Sequence, residues 1–345
     1  MASVQKWTSR EGFTADVLGR WIQRSLLNPW KTGPLLALAQ YTFQGKQLIR
    51  SRPWLFKILR VLTALAVLQR VSAWLDHRAV NNAVSDHYDW NREVVVLTGG
   101  SGGIGRRIAQ MLGDRGIKVA ILDIHAPTDT LPHSVRFFQC DITSPDDIAS
   151  AATSIRAAFG RPSILINNAG LLTGKTILGT TPAQTTRMFA VNALAHYWLA
   201  QEFLPAIISA NHGMLVTVAS QAGYTVTPNM VDYSATKAAA IAFHEGLSAE
   251  LVTRYHAPRV RTVLVTQSFT RTSLIDNLTP EDTWFHPLLC PESVAEGIVD
   301  QVLSGESGSV VLPKSTGVMS RLFRGFPVWM QHRVRCKLER LMRAE

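Results

Sequence analysis

The sequence predicts an α/β fold, a doubly wound parallel sheet with basic, amphipathic N- and C-terminal extensions. Three observations carry the prediction. Short, continuously apolar runs alternate with helix-like stretches through residues 91–312, a glycine-rich turn stands between the first run and the first helix, and the net positive charge is confined to the two flanks. At 345 residues, 46% hydrophobic and 17% charged, the chain can bury one large core and leave about 100 residues for extensions.

Val94, Val95, Val96 and Leu97 form the first run and stop at Thr98, as a strand buried on both faces would. The same texture recurs at residues 118–123, 163–167, 214–218 and 260–265, and more weakly at 310–313. Helix-like stretches separate them at 104–115, 145–159, 181–209, 232–255 and 291–303. Strands alternating with helices argue a parallel sheet covered on both faces.

The net charge of +10 is unevenly placed. Residues 1–90 hold 12 Lys and Arg against 5 Asp and Glu, residues 313–345 hold 8 against 2, and residues 91–312 hold 15 against 18. This divides the chain into a basic amphipathic extension (1–90), a slightly acidic central domain (91–312) and a basic amphipathic tail (313–345). Both flanks interleave their cations with large apolar residues: Trp54, Phe56, Leu62 and Leu65 run with Lys57 and Arg60, and Phe323, Phe326 and Trp329 with Arg321, Arg324 and Arg333. That mixture suits helices lying in an anionic lipid interface, and it equally describes helices packed on the core or on a second subunit. The longest clean apolar run, residues 61–68, is shorter than the roughly 20 residues needed to span a bilayer, which leaves a tilted or snorkelling segment as the way to cross one. Nucleic acid is not an expected partner, because no binding motif accompanies the basic residues. Cys140, Cys290 and Cys336 are too few and too scattered for a disulfide framework or a zinc site, so a reducing, cytosol-facing setting is expected, with no metal and no secretory signal.

The segment from Thr98 to Gly105 reads TGGSGGIG. Gly99, Gly103 and Gly105 lack the Cβ that would block a tight strand-to-helix turn and keep a pyrophosphate from the backbone, and the free amides of the following helix face the phosphates. This is the phosphate-binding turn of a Rossmann-type sheet. Asp123 ends the second strand at the spacing expected of the acid that binds the adenosine ribose. A carboxylate there accepts from the ribose hydroxyls and repels a 2′-phosphate, so NAD is the expected cofactor and NADP the alternative.

Tyr233 and Lys237 lie four residues apart, hence on one helix face. A phenol acts as a base at neutral pH only when a nearby cation favours its phenolate, and Lys237 is the expected source of that charge. Ser220 closes the strand 214–219 at the carboxyl edge of the sheet, where its hydroxyl can hold a substrate oxygen. The set suits proton transfer coupled to hydride transfer.

The TGGSGGIG turn, Asp141-Ile142, the Asn167-Asn-Ala-Gly170 segment, Asn192, Ser220 and Tyr233-x3-Lys237 follow in the order of the short-chain dehydrogenases/reductases, which the chain resembles over about residues 92–312. The resemblance implies a catalytic tetrad of Asn192, Ser220, Tyr233 and Lys237, with Asn192 holding a water in a proton relay through Lys237. Asn192 can also be read as a helix-interior residue satisfied by backbone. The resemblance further implies that Asp141 contacts the adenine, Asn168 the cofactor ribose and Thr272 the nicotinamide amide; Ser101, Ile104 and Ile142 complete the cofactor-binding set.

The stretches 191–198, 203–205, 211–213, 216–220 and 246–251 resemble more closely the membrane-associated branch of retinol dehydrogenases and lipid-droplet 17-beta-hydroxysteroid dehydrogenases. That likeness implies an endoplasmic reticulum or lipid-droplet surface, a lipophilic alcohol substrate and a homodimer formed through the helices carrying Asn192 and Tyr233. One departure stands out: Gln267-Ser268 occupies the place of the family's usual Pro-Gly, which puts the loop holding Thr272 in question. Residues 274–289, with Leu278, Trp284, Phe285, Pro287 and Leu288, suit an apolar substrate lid or a packed surface loop. The expected function is oxidation of a lipophilic secondary or allylic alcohol (steroid, retinoid, terpenoid or polyketide-like) by NAD. The alternatives are an NADPH-dependent carbonyl reductase of secondary metabolism and a catalytically idle membrane-bound nucleotide-binding scaffold.

Overall fold

Apolar runs buried on both faces need partners on both faces, and a parallel sheet covered by helices supplies them. In chain order the strands are β1 (Val94–Thr98), β2 (Lys118–Asp123), β3 (Val135–Gln139), β4 (Ile164–Asn167), β5 (Met214–Val218), β6 (Arg261–Gln267), the two-residue β7 (Leu278–Thr279), β8 (Gly308–Leu312) and the two-residue β9 (Arg343–Ala344). Seven of them form one parallel sheet in the order β3-β2-β1-β4-β5-β6-β8, and β7 pairs with β9 in an antiparallel ribbon. This computed structural model describes residues 10–275, 278–279, 284–341 and 343–344.

The polypeptide divides into two units, Met1–Ala83 and Val84–Glu345. The first contains α1 (Ala15–Arg24), α2 (Pro29–Tyr41), α3 (Phe43–Ser51) and α4 (Pro53–Val80). Helix α4 is a single rod of 28 residues with mean hydropathy 1.5 over its most apolar 18-residue window, long and apolar enough to cross a membrane by length and composition. The clean run 61–68 is thus part of a longer helix; a cation within such a window can fold its stem along apolar neighbours, and the Arg60 guanidinium lies 5.8 Å from the Phe56 ring centroid. Ile58, Val61, Leu65, Leu68 and Trp74 are all exposed.

In the second unit the helices are α5 (Gly103–Gly113), α6 (Pro145–Phe159), α7 (Pro182–Phe189), α8 (Ala195–Ala210), α9 (Val231–Thr253), α10 (Pro291–Leu303), α11 (Lys314–Phe323) and α12 (Val328–Leu338). Successive strand residues face opposite sides. Val95 and Leu97 pack with Ile108 of α5 and Ile298 of α10, while Val94 and Val96 pack with Ile155 of α6 and Leu199 of α8. Residues 84–90, expected with the extension, belong to this unit: the buried Tyr88 hydroxyl donates to the Gly213 carbonyl at 2.8 Å, and Arg261 donates to the Val84 carbonyl at 2.6 Å. The tail from residue 313 belongs to it as well.

Two features depart from the predicted pattern. Strand β3 was not marked by an apolar run because it is a sheet edge, and Arg136 and Gln139 face solvent. No helix covers the β2-to-β3 crossover; residues 124–134 form a coil whose Thr130 carbonyl accepts from Arg106 of α5 at 2.8 Å. The helix predicted over 181–209 is interrupted by a π-turn, Ala190–Leu194, which widens the spiral at Asn192. Strand order reverses between β1 and β4, so the crevice beyond their carboxyl ends is the natural ligand position.

Candidate active site

The glycine turn after β1 is built by close contacts. Gly99 takes φ +67°, and a Cβ there would stand 2.8 Å from Ala169 Cα; one on Gly105 would stand 2.1 Å from the Gly99 oxygen. Asn168 Nδ2 donates to the Thr98 and Gly99 carbonyls at 3.0 and 3.2 Å, which fixes the turn from across the sheet. The Ser101 amide donates to Asp123 Oδ2 at 3.0 Å and the Ser101 hydroxyl to the His125 carbonyl at 2.6 Å.

Above the turn lies a cavity of about 410 Å³. Of the expected cofactor residues, Gly99, Gly103, Ile104, Asp123, Asp141, Ile142, Asn168, Tyr233, Lys237 and Thr272 line it, whereas Ser101 and Gly105 do not. The Thr143 amide and hydroxyl, donating at 2.9 and 2.7 Å, hold the Asp141 carboxyl below the usual range, and Arg187 adds to this. Arg187, Cys140, Val218, Gln267 and Leu274 on the same wall were not among the expected cofactor residues. Their residue types carry no signal of their own, and only the fold brings them together. An open cradle at the start of α5, with a carboxylate at the end of β2, fits NAD or NADP.

Ser220, Tyr233, Lys237 and Asn192 are all buried. The Ser220 hydroxyl donates to the Gln267 carbonyl at 3.2 Å and is also hydrogen-bonded to the Tyr233 phenol. Lys237 Nζ donates to the Val218 carbonyl at 2.8 Å and stands 5.7 Å from the centroid of the Tyr233 ring. Burial pushes the phenol up to about 12, against which the Ser220 hydrogen bond acts, and burial lowers Lys237 to about 8. Desolvation is the larger of the two influences on the phenol. Asn192 Oδ1 accepts from the Leu171 amide at 2.7 Å, and its Nδ2 donates to the Leu171 carbonyl and the Thr236 hydroxyl at 2.9 and 3.1 Å. A Cβ on Gly170 would lie 3.5 Å from Asn192 Oδ1 and 3.7 Å from Lys237 Nζ, so the two side chains converge on one point.

A second cavity, of about 560 Å³, adjoins the first and shares Tyr233 with it. Its wall includes Ser220, Leu172, Met230, Phe269, Ile275 and Phe285. Of the expected lid, Leu274, Ile275, Phe285 and His286 line the cavity; Trp284 stacks edge-on against Phe285 at 4.7 Å, and the Leu278 side chain and residues 276–277 and 280–283 lie outside the described residues. The far wall comes from the C-terminal tail: Met319 and Phe323 of α11, and Val334 and Leu338 of α12. Arg324 secures the tail by donating to the Gly223 carbonyl at 2.9 Å and the Tyr224 carbonyl at 3.2 Å.

The short chain dehydrogenase family matches residues 93–283, which hold both the glycine turn and the Tyr233–Lys237 pair. The chain belongs to the short chain dehydrogenases. It is accordingly an NAD(P)-dependent oxidoreductase acting on CH–OH groups. This short chain dehydrogenase is 43% identical over 208 residues to dehydrogenase RED2 of Cochliobolus heterostrophus, covering 59% of this chain and 78% of that one. It is 35% identical over 243 residues to estradiol 17-beta-dehydrogenase 11 of Rattus norvegicus, covering 68% and 80%. The crystal structure of a metagenomic short-chain oxidoreductase in complex with NADP is similar at 25% identity and a TM-score of 0.51, covering 64% of this chain and 96% of that one.

Proposed function

We propose that the protein transfers hydride between a nicotinamide cofactor and a lipophilic secondary or allylic alcohol or ketone of steroid, retinoid, terpenoid or polyketide-like type. The observation that supports this reading most is that Tyr233, in contact with Ser220, lines both the glycine-turn cavity and the apolar one. Bound NAD(P) supplies the hydride acceptor or donor. In this reading Ser220 holds the substrate oxygen, and Tyr233 Oη takes its proton during oxidation or returns one during reduction. Lys237 steadies the charge that forms on the phenol. Asn192, anchored by Leu171 and Thr236, holds a water in the relay that carries the proton away through Lys237.

Asp123 supports NAD as the preferred cofactor. Helix α4, at 1.5 Å per residue about 42 Å long, exceeds the roughly 30 Å hydrocarbon core; its exposed apolar surface supports attachment to a cytosol-facing endoplasmic reticulum or lipid-droplet membrane. Estradiol 17-beta-dehydrogenase 11, by its name, acts on a steroid. Homodimerisation through α8 and α9 belongs to the same reading, and Leu194 and Tyr197 beside Asn192 are half-exposed. The test is NADH formation by the membrane-bound protein across a panel of lipophilic and short polar alcohols; preference for the short polar ones would refute the substrate class.

A second reading, an NADPH-dependent carbonyl reductase, draws on Arg187, a cation on the cofactor cavity wall, and on the NADP held by the metagenomic relative. Comparing kcat/KM for NADH and NADPH in the reductive direction separates the two.

A further inference from the structure

We infer that the side-chain carboxamide of Gln267 is a ligand for the nicotinamide carboxamide of the bound cofactor. Gln267 is the last residue of β6, is more than nine-tenths buried, and lines both cavities beside Tyr233 and Thr272. Its Oε1 is shielded from solvent and has no hydrogen-bond partner among the described residues. Buried carboxamides are ordinarily satisfied, so an unpartnered one at a ligand cavity marks a contact that the ligand completes.

The contrast with Gln221 is direct, since that residue lines the substrate cavity too. Its Nε2 donates to the Leu312 and Pro313 carbonyls at 3.0 and 3.2 Å, and its Oε1 accepts from Ser320 at 3.4 Å, which leaves it committed to the protein. Asn167 is also buried without partners, but it lines neither cavity.

Strand alternation sets the side on which the Gln267 side chain emerges. It shares a sheet face with Val263 and Val265, which pack in the core that holds α5, the helix that starts at the glycine turn. On that side it joins Ile104 and Val218 in the cofactor cavity. Its main-chain oxygen accepts from Ser220, so the carboxamide stands at the reacting end of the crevice, away from Asp123 at the end of β2. The unpartnered Oε1 needs a donor, and a carboxamide carries one. NAD and NADP carry such a group on the ring that exchanges hydride, and two facing carboxamides can exchange a pair of hydrogen bonds. The proline usual at this position in the sequences the chain resembles has no group to offer.

The test is the affinity of the full-length protein for NADH and for ADP-ribose, which lacks the nicotinamide, measured by calorimetry for wild type and Gln267→Leu. The variant is expected to bind NADH about three- to tenfold more weakly and ADP-ribose unchanged. Unchanged NADH affinity overturns the inference, as does an equal loss for both ligands or a change confined to the KM of the alcohol. Should Gln267→Leu fail to fold, Gln267→Met, which also lacks a donor and acceptor pair, is read by the same criteria. Because the readout is cofactor binding, the result stands whichever substrate class is correct.

Discussion

Lys237 Nζ and the Val218 main-chain oxygen are joined at 2.8 Å beneath the cofactor cavity, so the ammonium is held in place before any ligand arrives. Burial draws it from 10.5 to about 8. The folded-state value lies below the unfolded one, so between about pH 8 and pH 10.5 the unfolded chain binds more protons and the native state gains stability as pH rises. The gain is on the order of 3 kcal/mol. Lys237→Met should therefore show its greatest relative stability near pH 7 and lose that advantage toward pH 10.5, as read by urea unfolding at the two values. A difference between variant and wild type that does not change with pH would contradict the buried ammonium.

Asp123 both braces Ser101 and lines the cofactor cavity. Asp123→Ala removes the charge that would repel a 2′-phosphate, and the ratio of kcat/KM for NAD over NADP should fall roughly tenfold. An unchanged ratio would mean that Arg187 or another group sets the preference.

The C-terminal tail should tune substrate range. Phe323 is buried, lines the apolar cavity and lies 5.1 Å from the Arg335 guanidinium. Phe323→Ala should cost about 3 kcal/mol of stability and raise KM for bulky lipophilic alcohols more than for small ones. Equal changes for both would show that the tail supports the fold without touching substrate.

Removing residues 1–83 should release the enzyme from pelleted membranes with its cofactor affinity intact. The cut falls at Ala83, because Tyr88, Trp90 and the Val84 carbonyl are tied into the catalytic unit. Continued pelleting would move the attachment to the tail helices, where Val328 and Trp329 are exposed.

What could be read in advance was whatever a local pattern encodes. The strands at 94–97 and 214–218 announced themselves because burial on both faces leaves a continuous apolar string, and the glycine turn because only glycine survives contacts such as that of Gly99 with Ala169. Tyr233 and Lys237 were legible because helix periodicity fixes their common face. Edge strand β3, with Arg136 in solvent, has no such string. The π-turn at Asn192 depends on packing around it, and the inward face of α11 and α12 depends on where the chain returns after β8. The same mixture of apolar and basic residues that suggested lipid contact for the tail also serves a cavity wall. Gln267 was visible only as a departure from a motif, and its burial and missing partner are tertiary facts.

The central claim is tested most directly by Tyr233→Phe, assayed for NADH formation from a lipophilic secondary alcohol alongside its NADH dissociation constant. The account predicts a fall in kcat/KM of about 10²–10⁴-fold with cofactor binding unchanged. Turnover within a few-fold of wild type, with the fold intact, would contradict it.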